Sequence, residues 1–223
     1  IWLAGGLIRG HLRDHLLEEI ARVFEEAHSP LPDVRLDTHG AHLPLIGAAL
    51  CVPAGYRRGL ALDFGGTQIK AGLATYHDNA LIRLETRPPQ ETRYSFEGDD
   101  ATLRTFLDRM TAISADALRE TGADCPVVPT VIAAYIDPDG NPRDGSLFTR
   151  LRRVAPDLQT VLSEEISRAL GRAIRVRMLH DGTSAATVYP GDVVITLGTA
   201  IAVGMAPAVE QPLERAAHFR LEA

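Results

Sequence analysis

The chain has 223 residues, 45% of them hydrophobic and 23% charged, which is enough apolar content for a substantial core and for two lobes around a cleft. A net charge of -6 gives no electrostatic reason to approach nucleic acid or an anionic membrane, so neither is an expected partner. Cys51 and Cys125 stand far apart without metal-ligand spacing, no apolar run approaches the roughly 20 residues that cross a bilayer, and no basic-then-apolar leader is visible; a reducing cytoplasm is the expected setting.

Ile1 opens inside the apolar run IWLAGG, which reads as the second half of a buried strand, and residues upstream are expected. Leu12, Leu16, Leu17, Ile20, Val23, Phe24 and Ala27 then recur at helical spacing and predict an amphipathic helix. SPLPD breaks it, VRL is a weak strand, and HLPLIGAALCV predicts a short apolar helix that stops before Pro53. From Gly59 the runs LALDF, AGLATY and ALIRLET, separated by turn residues, predict an antiparallel meander. A proline-rich loop leads to a helix with Leu103, Phe106, Leu107, Met110, Ile113 and Leu118 on one face.

VVPTVIAAYI reads as a buried strand and DPDGNPRDG as a long polar turn. Leu158, Val161, Leu162, Ile166 and Leu170 mark another helix, IRVRML a strand, HDGTSAATVY a turn and short helix, and DVVITL a strand ending in Gly198 and Thr199. A hairpin group followed by strands alternating with helices predicts an α/β fold with a mixed sheet.

Three strand-to-turn junctions deliver small or acidic residues: Asp63, Gly65, Gly66, Thr67 and Lys70; His180, Asp181 and Gly182; and Thr196, Gly198 and Thr199. Glycines in a hairpin turn admit positive φ and let a phosphate approach the backbone N–H groups. Thr67 adds a hydroxyl donor, Lys70 offsets phosphate charge, and Asp63 at the end of its strand is placed to hold Mg²⁺ directly or through water. A second Gly-Thr turn would let two hairpins grip the β- and γ-phosphates of a nucleotide between them. Asp181 at the mouth of the sheet could accept the proton of an attacking hydroxyl, or could cap a helix beginning near Thr183.

These residues are familiar. ALDFGGTQIKAGL resembles the first phosphate motif of the sugar-kinase, heat-shock-protein and actin superfamily, most closely that of the ROK-type glucokinases. ITLGTAIAVG is similar to the second phosphate motif, LHDGTSAA to the segment carrying the catalytic aspartate, and IWLAGG, with Gly5 and Gly6, to the adenosine motif. The resemblance implies an actin-like ATPase (ribonuclease H-like) fold with a mixed five-stranded sheet flanked by helices, and binding of ATP and Mg²⁺. It also implies Asp181 as general base, and Asp63, Gly65, Gly66, Thr67, Gly198 and Thr199 around phosphates and metal.

The chain departs from that pattern in several places. The adenosine-like motif comes first instead of last, so the expected organisation is either a circular permutation or the tail of one kinase-like domain ahead of the first half of a second. Residues 1–55 form the adenosine segment with its closing helices, 56–190 a first lobe with the catalytic aspartate, and 191–223 the start of an incomplete second lobe. The ROK histidine-and-cysteine zinc motif is absent, and His218 has no cysteine partners. His180 stands where the family has an asparagine that contacts sugar, and Ala200 and Ala202 where it has glycines. AAYIDPDGNPRDG lacks the family's Pro-Gly, although Asp137 could face the cleft. The expected activity is transfer of a γ-phosphoryl group to a sugar or polyol hydroxyl, with His180 and Asp137 as candidate substrate contacts and a homodimer as the one expected macromolecular assembly. A non-catalytic sugar- or nucleotide-binding regulator of the same fold is the alternative.

Asp137, Asp139 and Asp144 lack the glutamate of an EF-hand and read as a solvated turn. Arg150, Arg152 and Arg153 read as a solvated basic face, and His39 and His42 as loop or cap residues.

Overall fold

The computed structural model describes residues 1–8, 11–92, 98–143, 147–198, 201–206 and 220–222. Three runs from Gly59 onward form the expected meander: β3 (Arg58–Phe64), β4 (Gln68–His77) and β5 (Ala80–Thr86); the first two strands follow β1 (Trp2–Ala4) and β2 (Arg35–Leu36) in the chain. β3 pairs antiparallel with β4 and β4 with β5, while β7 (Val127–Ile132) and β8 (Arg175–His180) add in parallel on the far side of β3. The result is the expected mixed five-stranded sheet, in the order β5-β4-β3-β7-β8. Two short strands extend it: β6 (Gln90–Glu91) on β4, and β11 (Arg220–Glu222) on the outer edge of β5.

Alternation along β3 decides what each face sees. Leu60, Leu62 and Phe64 point into one core, shared with α3 (Asp100–Thr121) and α4 (Leu158–Leu170) through Phe106, Met110, Leu158 and Leu162. Ala61 points into the opposite core, built with α2 (Leu43–Leu50) and α5 (Asp181–Ala186) through Leu45, Ile46, Ala185 and Ala186. Asp63 shares the alternation of Ala61 and so belongs to the α2–α5 face.

The helices are bounded as their sequences suggest. Asp99 and Asp157 cap α3 and α4 by accepting from the N–H groups of Thr102 and Thr160, and both helices end on a glycine in the left-handed region, Gly122 at φ 60° and Gly171 at φ 63°. No helix among the described residues is long and apolar enough to cross a membrane.

A second sheet has the order β10-β9-β1-β2, with β9 (Val193–Leu197) parallel to β1, β1 parallel to β2, and β10 (Ile201–Met205) antiparallel to β9. The first residues of the chain and the last hairpin therefore build one sheet, whereas α2 packs against the first. Helix α1 (His11–Glu26) follows β1, as the apolar spacing requires, yet none of its described side chains is fully buried.

Two segments differ from the sequence reading. The apolar run 127–136 predicts a longer strand than β7, which stops at Ile132 because its two ladder partners, Phe64 and His180, end there. No turn separates β8 from α5: the helix starts directly at Asp181, capped by His180.

Candidate active site at the seam of the two sheets

α5 lies where the two sheets meet, and it is held there by backbone contact. A Cβ on Gly47 of α2 would fall inside the Ser184 carbonyl, and a Cβ on Gly204 of β10 would fall inside the Gly182 carbonyl. Glycine at 47 and 204 thus lets α5 sit against both elements without intervening side chains. Ser184 Oγ donates to the Pro44 carbonyl at 2.8 Å and fixes the register on α2. Asp181, first residue of this short helix, is thereby placed at the junction.

The Asp181 side chain is 22% exposed. Its Oδ1 accepts the Gly182 N–H at 2.8 Å and lies 3.1 Å from His180 Nε2. Burial pushes its pKa up to about 6; the Gly182 N–H opposes that rise and the neighbouring Asp63 carboxylate adds to it. A carboxylate poised near 6 is suited to taking a proton from a hydroxyl at neutral pH.

The helix cap belongs to His180 and not to Asp181, which corrects the alternative reading of Asp181 as a capping residue. His180 Nδ1 accepts the Thr183 N–H at 3.2 Å, so in the neutral ring the proton sits on Nε2. The imidazole is buried, its pKa is lowered by desolvation, and one ring face stacks on Tyr135 at 4.2 Å between centroids. Tyr135 escaped the sequence reading because it lay inside an apolar run assigned to a strand.

Asp63 is buried at the end of β3 and pairs with Lys70 directly opposite on β4, Nζ to Oδ2 at 2.9 Å. The antiparallel register that makes them a cross-strand pair accounts for the contact. The turn between them is braced: the Gly65 N–H donates to the Gln68 carbonyl, the Gly65 carbonyl accepts from Thr92 Oγ1, and the Thr67 carbonyl accepts from the Thr92 N–H. Neither Gly65 nor Gly66 adopts positive φ, so the left-handed freedom that glycine offers is not used in this turn. Gly65 is instead confined by space, since a Cβ there would stand 3.0 Å from the Gln68 carbonyl oxygen. Among the described residues no backbone bond engages the N–H of Gly66 or Thr67.

Gly5 has φ 110° and comes so close to Leu197 at the end of β9 that a Cβ would overlap the Leu197 carbonyl; the Leu7 N–H donates to that carbonyl at 3.2 Å. This ties the adenosine-like segment to the second hairpin. Gly6 and Gly198 are exposed, each with open space where a Cβ would be. Thr196 is buried in β9, its Oγ1 reaching the Ala202 carbonyl. Thr199, Ala200, Asp144 and His218 lie outside the described residues.

The structure thus links Asp63, Lys70 and Asp181 through their charges, Asp181 to β10 through Gly182, and β9 to Gly5. Asp137 has a different place. Its Oδ1 accepts the N–H groups of Asp139 and Asn141, closing its own turn, and Asn141 in turn caps α4 by accepting the Leu158 N–H. Asp37, which the sequence reading passed over, is a wholly buried carboxylate that accepts from Tyr189 OH, the Gly40 N–H and His39 Nδ1. Nothing in the motif pattern marked it, because its partners lie 152 residues away at the farthest. Both cysteines are free.

The donor set suits the group that the motifs imply. Mg²⁺ bound with a nucleotide needs one or two carboxylates and phosphate oxygens, and Asp63 with Asp181 nearby supplies that number, while unengaged N–H groups and Lys70 suit phosphate.

No family model matches the sequence, and no curated protein matches it. Among solved structures the chain is similar to the ROK hexokinase from Thermus thermophilus, with TM-score 0.39 and 19% identity over 67% of this chain and 47% of that one. It is also similar to the ethanolamine utilization protein EutJ from Carboxydothermus hydrogenoformans (TM-score 0.37, 18% identity, 78% and 59% of the two chains). A third is the glucokinase from Parabacteroides distasonis (TM-score 0.33, 13% identity, 88% and 68%). The chain spans about half the length of the Thermus hexokinase it resembles.

Proposed function

We propose that the chain is an ATP- and Mg²⁺-dependent phosphotransferase of the actin-like ATPase kind, acting on a sugar or similar polyol hydroxyl. One observation carries this reading: a carboxylate at the sheet junction, beside Asp63 and Lys70, with a pKa pushed up to about 6. Asp181 Oδ2 takes the proton of the acceptor hydroxyl as that oxygen forms its bond to the γ-phosphorus. The bond between the γ-phosphorus and the β–γ bridging oxygen breaks, and ADP departs.

Asp63 would hold the magnesium ion, which supplies charge neutralisation to the phosphates when bound. In the structure Asp63 is neutralised by Lys70, so binding requires the ammonium to turn from the carboxylate toward phosphate. Gly66, Thr67, Gly198 and Thr199 would offer backbone and hydroxyl donors to the phosphates, and Gly5 and Gly6 would border the nucleoside. Closure around the bound reactants would limit transfer to water.

Isothermal titration of Mg²⁺–ATP into the chain, with Asp63→Ala as control, tests the nucleotide site. Binding that disappears in the control supports it. Asp181→Asn should then keep nucleotide binding while losing transfer by about 10²–10⁴-fold, the usual contribution of a general base. Loss of binding in Asp181→Asn would make that residue structural, and absence of any nucleotide binding would favour a non-catalytic regulator.

A further inference from the structure

The geometry points to Tyr135 as a specificity-determining platform, on which an acceptor with a cyclic, polyhydroxylated ring lies flat beside Asp181. This rests on the phosphotransferase reading and narrows its substrate class. Tyr135 is 58% exposed although it sits between two buried elements, the end of β7 and the cap of α5. One face of its ring is covered by His180, at 4.2 Å and an interplanar angle of 23°. His180 Nε2 is in turn 3.1 Å from Asp181 Oδ1, so the exposed aromatic surface lies one side chain away from the proposed base.

The segment bearing the ring is braced. The Arg143 N–H donates to the Tyr135 carbonyl at 2.7 Å, Ile136 bridges Pro142, Asp137 closes the turn between them, and Asn141 anchors the turn to α4. A large apolar face held this firmly gains by covering a ligand's apolar surface without paying again for its own ordering. A cyclic polyol has the matching shape: C–H groups on one face for the ring, and hydroxyls at the rim for hydrogen bonds. An acyclic polyol has no such face. The buried imidazole beneath Tyr135 backs the stack and is occupied by its cap bond, which gives His180 a supporting place instead of the substrate contact expected from its position in the motif.

The test is direct titration of three compounds, D-glucose, myo-inositol and glycerol, into wild type, Tyr135→Ala, Tyr135→Phe and Asp181→Asn, with Mg²⁺–ATP titrated in parallel. At least one cyclic compound should bind wild type and Tyr135→Phe alike, and should lose 10-fold or more in affinity in Tyr135→Ala, with ATP affinity unchanged. Equal binding to wild type and Tyr135→Ala, binding of neither cyclic compound, or a loss of ATP affinity in place of ring affinity would each overturn the inference. ATP binding without ring binding removes the platform and leaves the nucleotide site standing. Tyr135-dependent ring binding without ATP binding does the reverse.

Discussion

Along β3, Leu60, Leu62 and Phe64 alternate with Ala61 and Asp63, and every one of them is buried; along β10 the same alternation leaves Ile201, Val203 and Met205 at 72%, 46% and 66% exposure. β10 has no charged residue and β3 has Arg58 and Asp63, yet both alternate in the manner of sheet. They differ in what covers them: α3 and α4 close one face of the first sheet, α2 and α5 the other, whereas β10 meets α5 through the backbone of Gly204, against Gly182. Helix α1 repeats the contrast, with Leu12 and Val23 largely exposed on a stripe that the spacing assigns to a core. The comparison teaches that alternation specifies a strand, while burial depends on whether a second layer exists.

The largest effect should come from breaking the well-covered sheet. Phe64→Ala removes a fully buried ring and should cost about 3–5 kcal/mol, read by chemical denaturation. Next is Asp181→Asn, at the meeting point of the two regions. The folded protein holds this carboxyl at about 6 against an ordinary 3.8, so it binds the proton more tightly than the unfolded chain does. Its stability cost therefore grows as pH rises from about 4 to about 6 and is full above that window, at about 3 kcal/mol. Asp181→Asn should stabilise the protein at pH 7 by up to that amount and leave it unchanged below pH 4, as followed by melting temperature across pH. On the proposed phosphotransferase reading the same titration would set the activity: transfer should fall as pH drops through about 6, where Asp181 gains its proton.

A smaller loss is expected at the seam. Gly204→Ala drives a methyl group into the Gly182 backbone and should cost about 1–3 kcal/mol by overpacking, with a greater loss of activity than of stability because Asp181 is the next residue to shift. Smallest of all, Ile201→Thr on the open face of β10 should change stability by less than about 0.5 kcal/mol. A loss of 2 kcal/mol or more there would mean that this face is covered in solution.

Much of the architecture was legible in local pattern. The meander from Gly59, the capped helices α3 and α4, and the strands β8 and β9 all follow from apolar period and turn residues close in sequence. The end of β7 was not, since Ile132 marks the limit only because Phe64 and His180, on other strands, stop beside it. In the site, Asp63 and Lys70 were singled out separately, but their pairing depends on the register across a hairpin. The cap bond of His180 was within three residues and could have been read; the stack of Tyr135 on it could not, because that requires two strands to end level. Gly47 and Gly204 likewise carry no motif, and their need for glycine appears only where helix and strand backbones touch.

Trp2, the single tryptophan, stacks on Tyr189 with ring centroids 3.9 Å apart and donates its Nε1–H to Asp192, 190 residues along the chain. Because β1 lies between β2 and the distant β9, completing the second sheet must close about 190 residues of chain into a loop, whereas the meander needs only neighbours. Refolding should then be staged: backbone circular dichroism recovers as the first sheet forms, and tryptophan emission lags behind it, reporting the moment at which β1 is joined to β9.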